Sequence, residues 1–149
     1  MGASKVPLTD AIKRGRDLES EVFDEVCKIL KVKFQHAGFL ISHEMPHVGV
    51  SPDGISEESI LEIKCPEKEK NKVYYVKDGM IVPKVRAQMQ LSMLLFNKKK
   101  GILALADPNF VESKKIELFH DSFDENFLNE IFTNAEKYWL EEIFPLLIE

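Results

Sequence analysis

Between Ser51 and Pro66 the chain can fold in few ways. It turns at Pro52-Asp53-Gly54, then runs Ile60-Leu61-Glu62-Ile63-Lys64, and stops at Pro66. Proline-glycine punctuation around a short β-rich run reads as a strand entered from a turn. Side chains in a strand alternate between faces. Glu62 and Lys64 therefore share one face, while Leu61, Ile63 and Cys65 share the other and can face a core. Asp53 ends the preceding strand, and residues opposite one another in an antiparallel pair have Cβ atoms about 4.5–5.5 Å apart. Asp53 is thus expected within reach of Glu62.

Two carboxylates that close repel unless they share a proton or a cation. A hard divalent ion such as Mg²⁺ answers that repulsion, taking one or two carboxylates and keeping several waters. Lys64 beside it can orient a water or stabilise charge on a phosphate. The same triplet is also what an exposed hairpin with one Glu–Lys pair displays, so its surroundings decide.

The rest of the chain alternates helix and strand signals. Leu18, Val22, Val26, Ile29 and Leu30 recur at helical spacing, which predicts a helix from about Thr9 to Phe34, ended by Gly38. Phe39–His43 and Val48–Ser51 read as strands interrupted by Pro46, and a short β element is expected around Asp78-Gly79. Pro83 suits the first turn of a second helix reaching about Phe96, buried on Val85, Met89, Met93 and Leu94. Gly101–Ala106 reads as a core strand closed by Asp107-Pro108, and Val111–Leu118 as a sheet-edge strand. A last helix is expected behind a Ser122/Glu125 capping box, with Phe127, Ile131, Ala135, Tyr138 and Trp139 as its core or oligomer stripe. The order implies an α/β domain with helices against a central sheet.

Two helical residues can join the hairpin. Glu19 falls in line with Phe23, Val26 and Leu30, so a carboxylate borders an apolar face where it needs a partner. Gln88 lies one turn from Leu91 and Ser92, an amide in a mostly apolar surface. Glu19, Asp53, Glu62, Lys64 and Gln88 are the candidate pocket.

The 149 residues suggest one domain over 1–149, with 1–8 expected to be flexible. With 44% hydrophobic and 30% charged residues, the chain can build a core without disulfides or a structural metal. Cys27 and Cys65 do not make a disulfide framework, and Cys65 is expected as a small core residue. No apolar run is long enough for a membrane span, and Met1–Lys5 lacks a signal-peptide stretch, so an intracellular site, cytoplasmic or nuclear, is expected. A net charge of -5 argues against a nucleic-acid partner, although a carboxylate metal site offsets that expectation. Lysines cluster in Lys64–Lys72 and Lys98–Lys100, which suits either a solvated surface or a polyanion. His36, His43, His47 and His120 share no ligand spacing; His43 and His47 flank Pro46 near the hairpin, where a contact to DNA is a minor reading.

Ser51-Pro52-Asp53-Gly54, then Leu61-Glu62-Ile63-Lys64-Cys65-Pro66, then Ala87-Gln88-Met89-Gln90-Leu91-Ser92-Met93 resemble the phage lambda exonuclease and YqaJ-like recombinase family of PD-(D/E)xK nucleases. Gly15-Arg16-Asp17-Leu18-Glu19 resembles its first-helix motif and Ala106-Asp107-Pro108 its late strand end. The resemblance implies a restriction-endonuclease-like core, a central mixed β-sheet flanked by α-helices. It implies Mg²⁺, with Mn²⁺ as a substitute, held by Asp53, Glu62, the Ile63 carbonyl and Glu19 directly or through water. Lys64 and Gln88 would position the nucleophile, and Ser51 would hold a phosphate oxygen. The implied reaction is hydrolysis of linear duplex DNA from the 5′ end, in recombination or end processing. The partners it adds are a homo-oligomer and a single-strand annealing protein.

The family's phage members carry an N-terminal segment that grips a 5′-phosphate, and nothing before Gly15 matches it. Arg14, Arg16 or Arg86 are the candidate substitutes. Ser92 also stands where some relatives carry Tyr. A structure-specific endonuclease or nickase on the same core, and a non-catalytic DNA-binding or assembly protein, are the alternatives.

Overall fold

A computed structural model describes residues 10–45, 48–143 and 146. The expectations for residues 1–8, Pro46 and His47 lie outside the described residues, as does the side chain of Arg14.

Helix α1 spans Asp10–Leu30. It ends four residues earlier than the periodicity predicts, because Lys31 takes a left-handed conformation (φ 54°). That turn releases Phe34 into the core and lets Gln35 bridge to Ile55. Strands β1 (Leu40–Ile41) and β2 (Gly49–Val50) form a small antiparallel hairpin. β3 (Gly54–Ile55) follows the Pro52-Asp53-Gly54 turn and pairs antiparallel with β4 (Ser59–Lys64), Gly54 opposite Leu61. Gly54 is needed for close approach. A Cβ there would come 2.8 Å from a ring carbon of Phe23 on α1.

A 3-10 helix (Glu69–Tyr74) leads to the hairpin of β5 (Val76–Lys77) and β6 (Met80–Ile81). Its turn residues Asp78 and Gly79 both have positive φ, as a tight two-residue turn demands. Helix α2 (Pro83–Leu95) opens on Pro83, whose missing N–H costs nothing in a first turn. β7 (Lys100–Ala106) then pairs parallel with β4, the result of a crossover through α2. β8 (Ile116–Ser122) pairs antiparallel with β7, giving a mixed sheet in the order β3-β4-β7-β8.

The expected strand Val111–Leu118 is corrected at its start. Phe110–Ser113 form a helical turn, α3, closed by Lys114 in the left-handed region, and the strand begins at Ile116. The buried Phe110 ring draws that turn inward. The expected Ser122 cap is also corrected. Ser122 is still paired with Lys100 in the sheet, and Asp124 caps α4 (Glu125–Tyr138) by accepting the Phe127 N–H. The stripe on α4 is only partly core. Leu128 is buried, Ile131 is half-buried, and Tyr138 and Trp139 are exposed.

The sheet is covered on both faces. Leu61, Ile63, Ile102, Ala104 and Ala106 pack with Leu18, Val22, Phe23 and Val26 of α1. Ile60 and Leu103 pack with Val85, Met89 and Met93 of α2, while Leu94 of the same helix is exposed. The hairpin expectation left the Glu62 face open. In the structure α2 covers it, and Glu62 keeps only 2% of its surface.

Candidate active site

Asp53 sits in the turn between β2 and β3, locked to β4 at two points. Its N–H donates to the Leu61 carbonyl at 3.0 Å, and its carboxylate accepts the Ile63 N–H at 2.6 Å. Glu62 rises from the middle of β4 beneath α2. Its Oε1 accepts from the Lys64 ammonium at 2.5 Å and from the Gln88 amide at 2.7 Å. Its Oε2 is buried and has no partner among the described residues. A buried polar atom normally finds a hydrogen bond, so this oxygen is the one an added ligand would meet.

The electrostatics agree with that geometry. Burial, then the charge of Glu62, then that of Glu19 push the Asp53 carboxyl up to about 7; the Ile63 N–H and Lys64 pull the other way. Burial likewise raises Glu62, with Glu19 adding to it, while Lys64 and Gln88 hold it down. For Lys64, burial disfavours the ammonium, but Glu62, Asp53 and Tyr75 together outweigh it and raise its pKa. One cation against a carboxylate group that includes Asp53, Glu62 and Glu19 leaves the cluster short of positive charge.

Glu19 lies half-buried on α1 and lines one cleft with Gly15, Ile63, Lys64, Cys65, Pro66 and Tyr75. The cleft holds about 350 Å³. Lys64 and Gln88 thus meet on Glu62, and Glu19 lies within electrostatic reach of Asp53 and Glu62, from two helices, a turn and a strand. Ser51 is exposed two residues before Asp53, and Arg16 is exposed beside Gly15. Arg86 is not brought to this cluster. Its guanidinium pairs with Asp121 and Asp124, each at 2.9 Å, and lies 4.3 Å over the Phe127 ring. A larger concavity, about 790 Å³, borders Arg86, Met80 and His120, away from the carboxylates.

The second lysine cluster is held in place. Lys98 donates to the Glu57 carbonyl, Lys99 lies over the Phe123 ring, and Lys100 pairs with Glu58. In the first cluster, Lys72 pairs with Glu69 and Glu117. Cys65 packs against the α1 side of the core and also borders the cleft. The cleft is also lined by Glu67, Asn71, Tyr74 and Tyr75, which no periodicity or spacing marks in the sequence.

The donor set suits a hard divalent cation. Asp53 and the orphan Oε2 of Glu62 offer oxygens only. Among the described residues no three His, Cys, Asp or Glu side chains converge on one point. A cation here would rest on few protein ligands and complete its shell from water and substrate, the habit of Mg²⁺.

A family model described as the YqaJ-like viral recombinase domain matches residues 4–99. No curated protein matches the chain. Among solved structures, an alkaline exonuclease (LHK-Exo) from Laribacter hongkongensis is similar, with 21% identity and a TM-score of 0.77 over 91% of this chain and 70% of that one. Its complex with dAMP gives a TM-score of 0.78 at the same identity and coverage. A phage-related exonuclease from Haemophilus somnus 129PT shares 15% identity over 92% of this chain and 74% of its own, with a TM-score of 0.68. At these identities the likeness is one of fold: a mixed sheet flanked by helices.

Proposed function

This chain belongs to the YqaJ-like viral recombinase domain family, and on that premise we propose that it is a divalent-cation-dependent DNA exonuclease. The observation that carries the reading is the buried Oε2 of Glu62, beside Asp53 and Lys64 and without a partner among the described residues. Such an arrangement is costly unless a ligand completes it. The similar solved structures, one an alkaline exonuclease and one its complex with dAMP, are in keeping with a nucleotide product.

In this reading Asp53, Glu62 and the Ile63 carbonyl hold Mg²⁺ or Mn²⁺, with Glu19 acting directly or through water. When bound, the cation supplies Lewis acidity and neutralises phosphate charge. Asp53 must be ionised to take part, and its carboxyl, raised to about 7, releases its proton as the pH climbs through neutrality. Gln88 fixes the rotamer of Glu62 by donating to Oε1, which leaves Oε2 for the ligand. Lys64 keeps its proton, so it acts as a fixed positive charge toward the scissile phosphate or the attacking water. In this reading the exposed Ser51 and Arg16 would meet the DNA backbone. The substrate is linear duplex DNA cut from the 5′ end, in recombination or end processing. A homo-oligomer and a single-strand annealing protein are the partners proposed with it. Among the described residues no helix is long and apolar enough to cross a membrane.

The test uses linear and covalently closed duplex DNA, with and without Mg²⁺, beside Asp53→Ala. Loss of linear DNA alone, dependent on the cation and abolished in the variant, is expected. Cutting of closed circles would convert the reading to an endonuclease. No cleavage with any divalent cation would sink it.

A further inference from the structure

The cleft beside Lys64 draws its lining from two sources of unlike chemistry. α1 and the end of β4 supply Glu19 and Lys64. The 3-10 helix and the residues leading into it supply Glu67, Asn71 and Tyr74. Side chains three apart in a 3-10 helix eclipse, so Asn71 and Tyr74 stand one above the other on one face. That shared face is the one that lines the cleft. The helix is also held in place. Lys72 pairs with Glu69 within it and with Glu117 of β8, and the Tyr75 N–H closes on the Lys72 carbonyl at 2.9 Å.

Tyr74 keeps 69% of its surface exposed, whereas Tyr75 beside it packs against the core under α2. Asn71 is half-buried, and its side-chain amide has no hydrogen-bond partner among the described residues. A flat ring and an unused amide thus meet the cleft from one face. An anionic group entering the cleft is drawn to the Lys64 ammonium and repelled by Glu67. The Asn71–Tyr74 face therefore suits an uncharged, flat group with hydrogen-bonding edges. A nucleobase is such a group: every base has a π-face for an aromatic ring, and an amide can both donate to its edge and accept from it. The cleft, about 350 Å³, is of a size for a small ligand.

We propose that Asn71 and Tyr74 form a nucleobase subsite: the Tyr74 ring stacks on the base of the nucleotide whose phosphate lies at Lys64, and the Asn71 amide hydrogen-bonds an edge of that base. Stacking tolerates any base, as a nuclease that digests through a sequence requires. The inference rests on the nuclease reading above for its substrate, and on the cleft-facing pair for its contact.

Tyr74→Ala is expected to raise KM on linear duplex DNA about tenfold, the scale of one base–aromatic stack, while Tyr74→Phe keeps the ring and stays within about twofold of the wild type. Asn71→Ala should raise KM about threefold, the scale of one hydrogen bond. In each case kcat should hold, because the contact is made before and during the reaction alike. The discriminating substrate is the same duplex with an abasic site at the nucleotide to be cut. With no base to stack on, Tyr74→Ala and the wild type should have the same KM there, whereas a general disturbance of the cleft would weaken both substrates. Unchanged KM on the intact duplex in Tyr74→Ala or in Asn71→Ala overturns the subsite, and so does an equal rise on both duplexes. A second readout needs no cleavage. With Mg²⁺ present, dGMP should shift the Tyr74 ring resonances upfield, and deoxyribose 5-phosphate, which lacks a base, should not. Resonances that dGMP leaves in place overturn the proposal. If the wild type cleaves no DNA, the nuclease reading fails and the dGMP titration still decides the subsite.

Discussion

Gln88 and Gln90 stand two residues apart on α2, about 200° around the helix from one another, and reach into two polar networks of opposite character. Gln88 serves Glu62, whose second oxygen has no partner among the described residues. Gln90 is fully buried, and each end of its amide is used. It donates to Asp121 at 2.9 Å and to the Ser122 carbonyl at 2.7 Å, and accepts the Asp124 N–H at 2.8 Å. Arg86 closes that second network through Asp121 and Asp124. There the ionic state is settled. The Phe127 N–H and then Arg86 hold the Asp124 carboxyl below its usual range.

The first network is the reverse, with Asp53 raised to about 7 and Glu62 raised beside it. Fully satisfied buried polar groups specify a structure, whereas partly satisfied ones carry the desolvation cost of the unpaired group. The second network binds α2 to β8 and α4, and the first leaves one carboxylate oxygen without a partner among the described residues.

The sharpest break of this contrast is at Glu62 itself. Glu62→Gln keeps the shape and should cut the rate of DNA cleavage by roughly 1,000-fold or more, while the fold persists. A protein that cleaves normally with Gln at this position would show that the orphan oxygen has no role in the chemistry. Gln90→Leu should do the opposite. It leaves Asp121, the Ser122 carbonyl and the Asp124 N–H short of partners, at a cost of about 2–4 kcal/mol. Denaturant melts should show that loss, with kcat of the folded fraction unchanged.

Asp53→Asn tests the electrostatics. The Asp53 carboxyl has a folded value of about 7 against 3.8 for the free group, so the native state binds the proton more tightly than the unfolded chain. Stability from this group is therefore lost as pH rises from about 4 to about 7, and stays lost above that. In chelator at pH 8 the neutral Asn should raise the melting temperature by roughly 5 °C, and at pH 4 the difference should vanish. An equal shift at both values would deny the burden on Asp53.

The smallest effect belongs to Arg86. Arg86→Met should lower stability by about 1 kcal/mol through its half-exposed ion pairs and the Phe127 stack. KM for DNA should be unchanged, and a large rise in KM would instead give Arg86 a substrate role.

Much of the site was legible in advance because its parts are local. Strand alternation puts Glu62 and Lys64 on one face, and a Pro-Asp-Gly turn brings Asp53 opposite them. Helical spacing marks Glu19 and Gln88 as polar residues on apolar stripes. Other features were not legible. Lys31 and Lys114 in left-handed turns end α1 and α3 where no glycine or proline marks a stop. Asp124 caps α4 in place of Ser122, because the sheet register with β7 keeps Ser122 in the strand.

The amino-acid sequence by itself determined the order of the main helices and strands, the hairpin chemistry and the membership of a motif-bearing family, since each depends on neighbours a few residues apart. Only the tertiary structure decided that α2 lies over Glu62, that this burial strands one of its oxygens, and that Arg86 is occupied elsewhere. Those outcomes depend on which surfaces meet across the sheet. Burial then sets the cost of an unpaired charge, and neither burial nor pairing has a signature in local spacing.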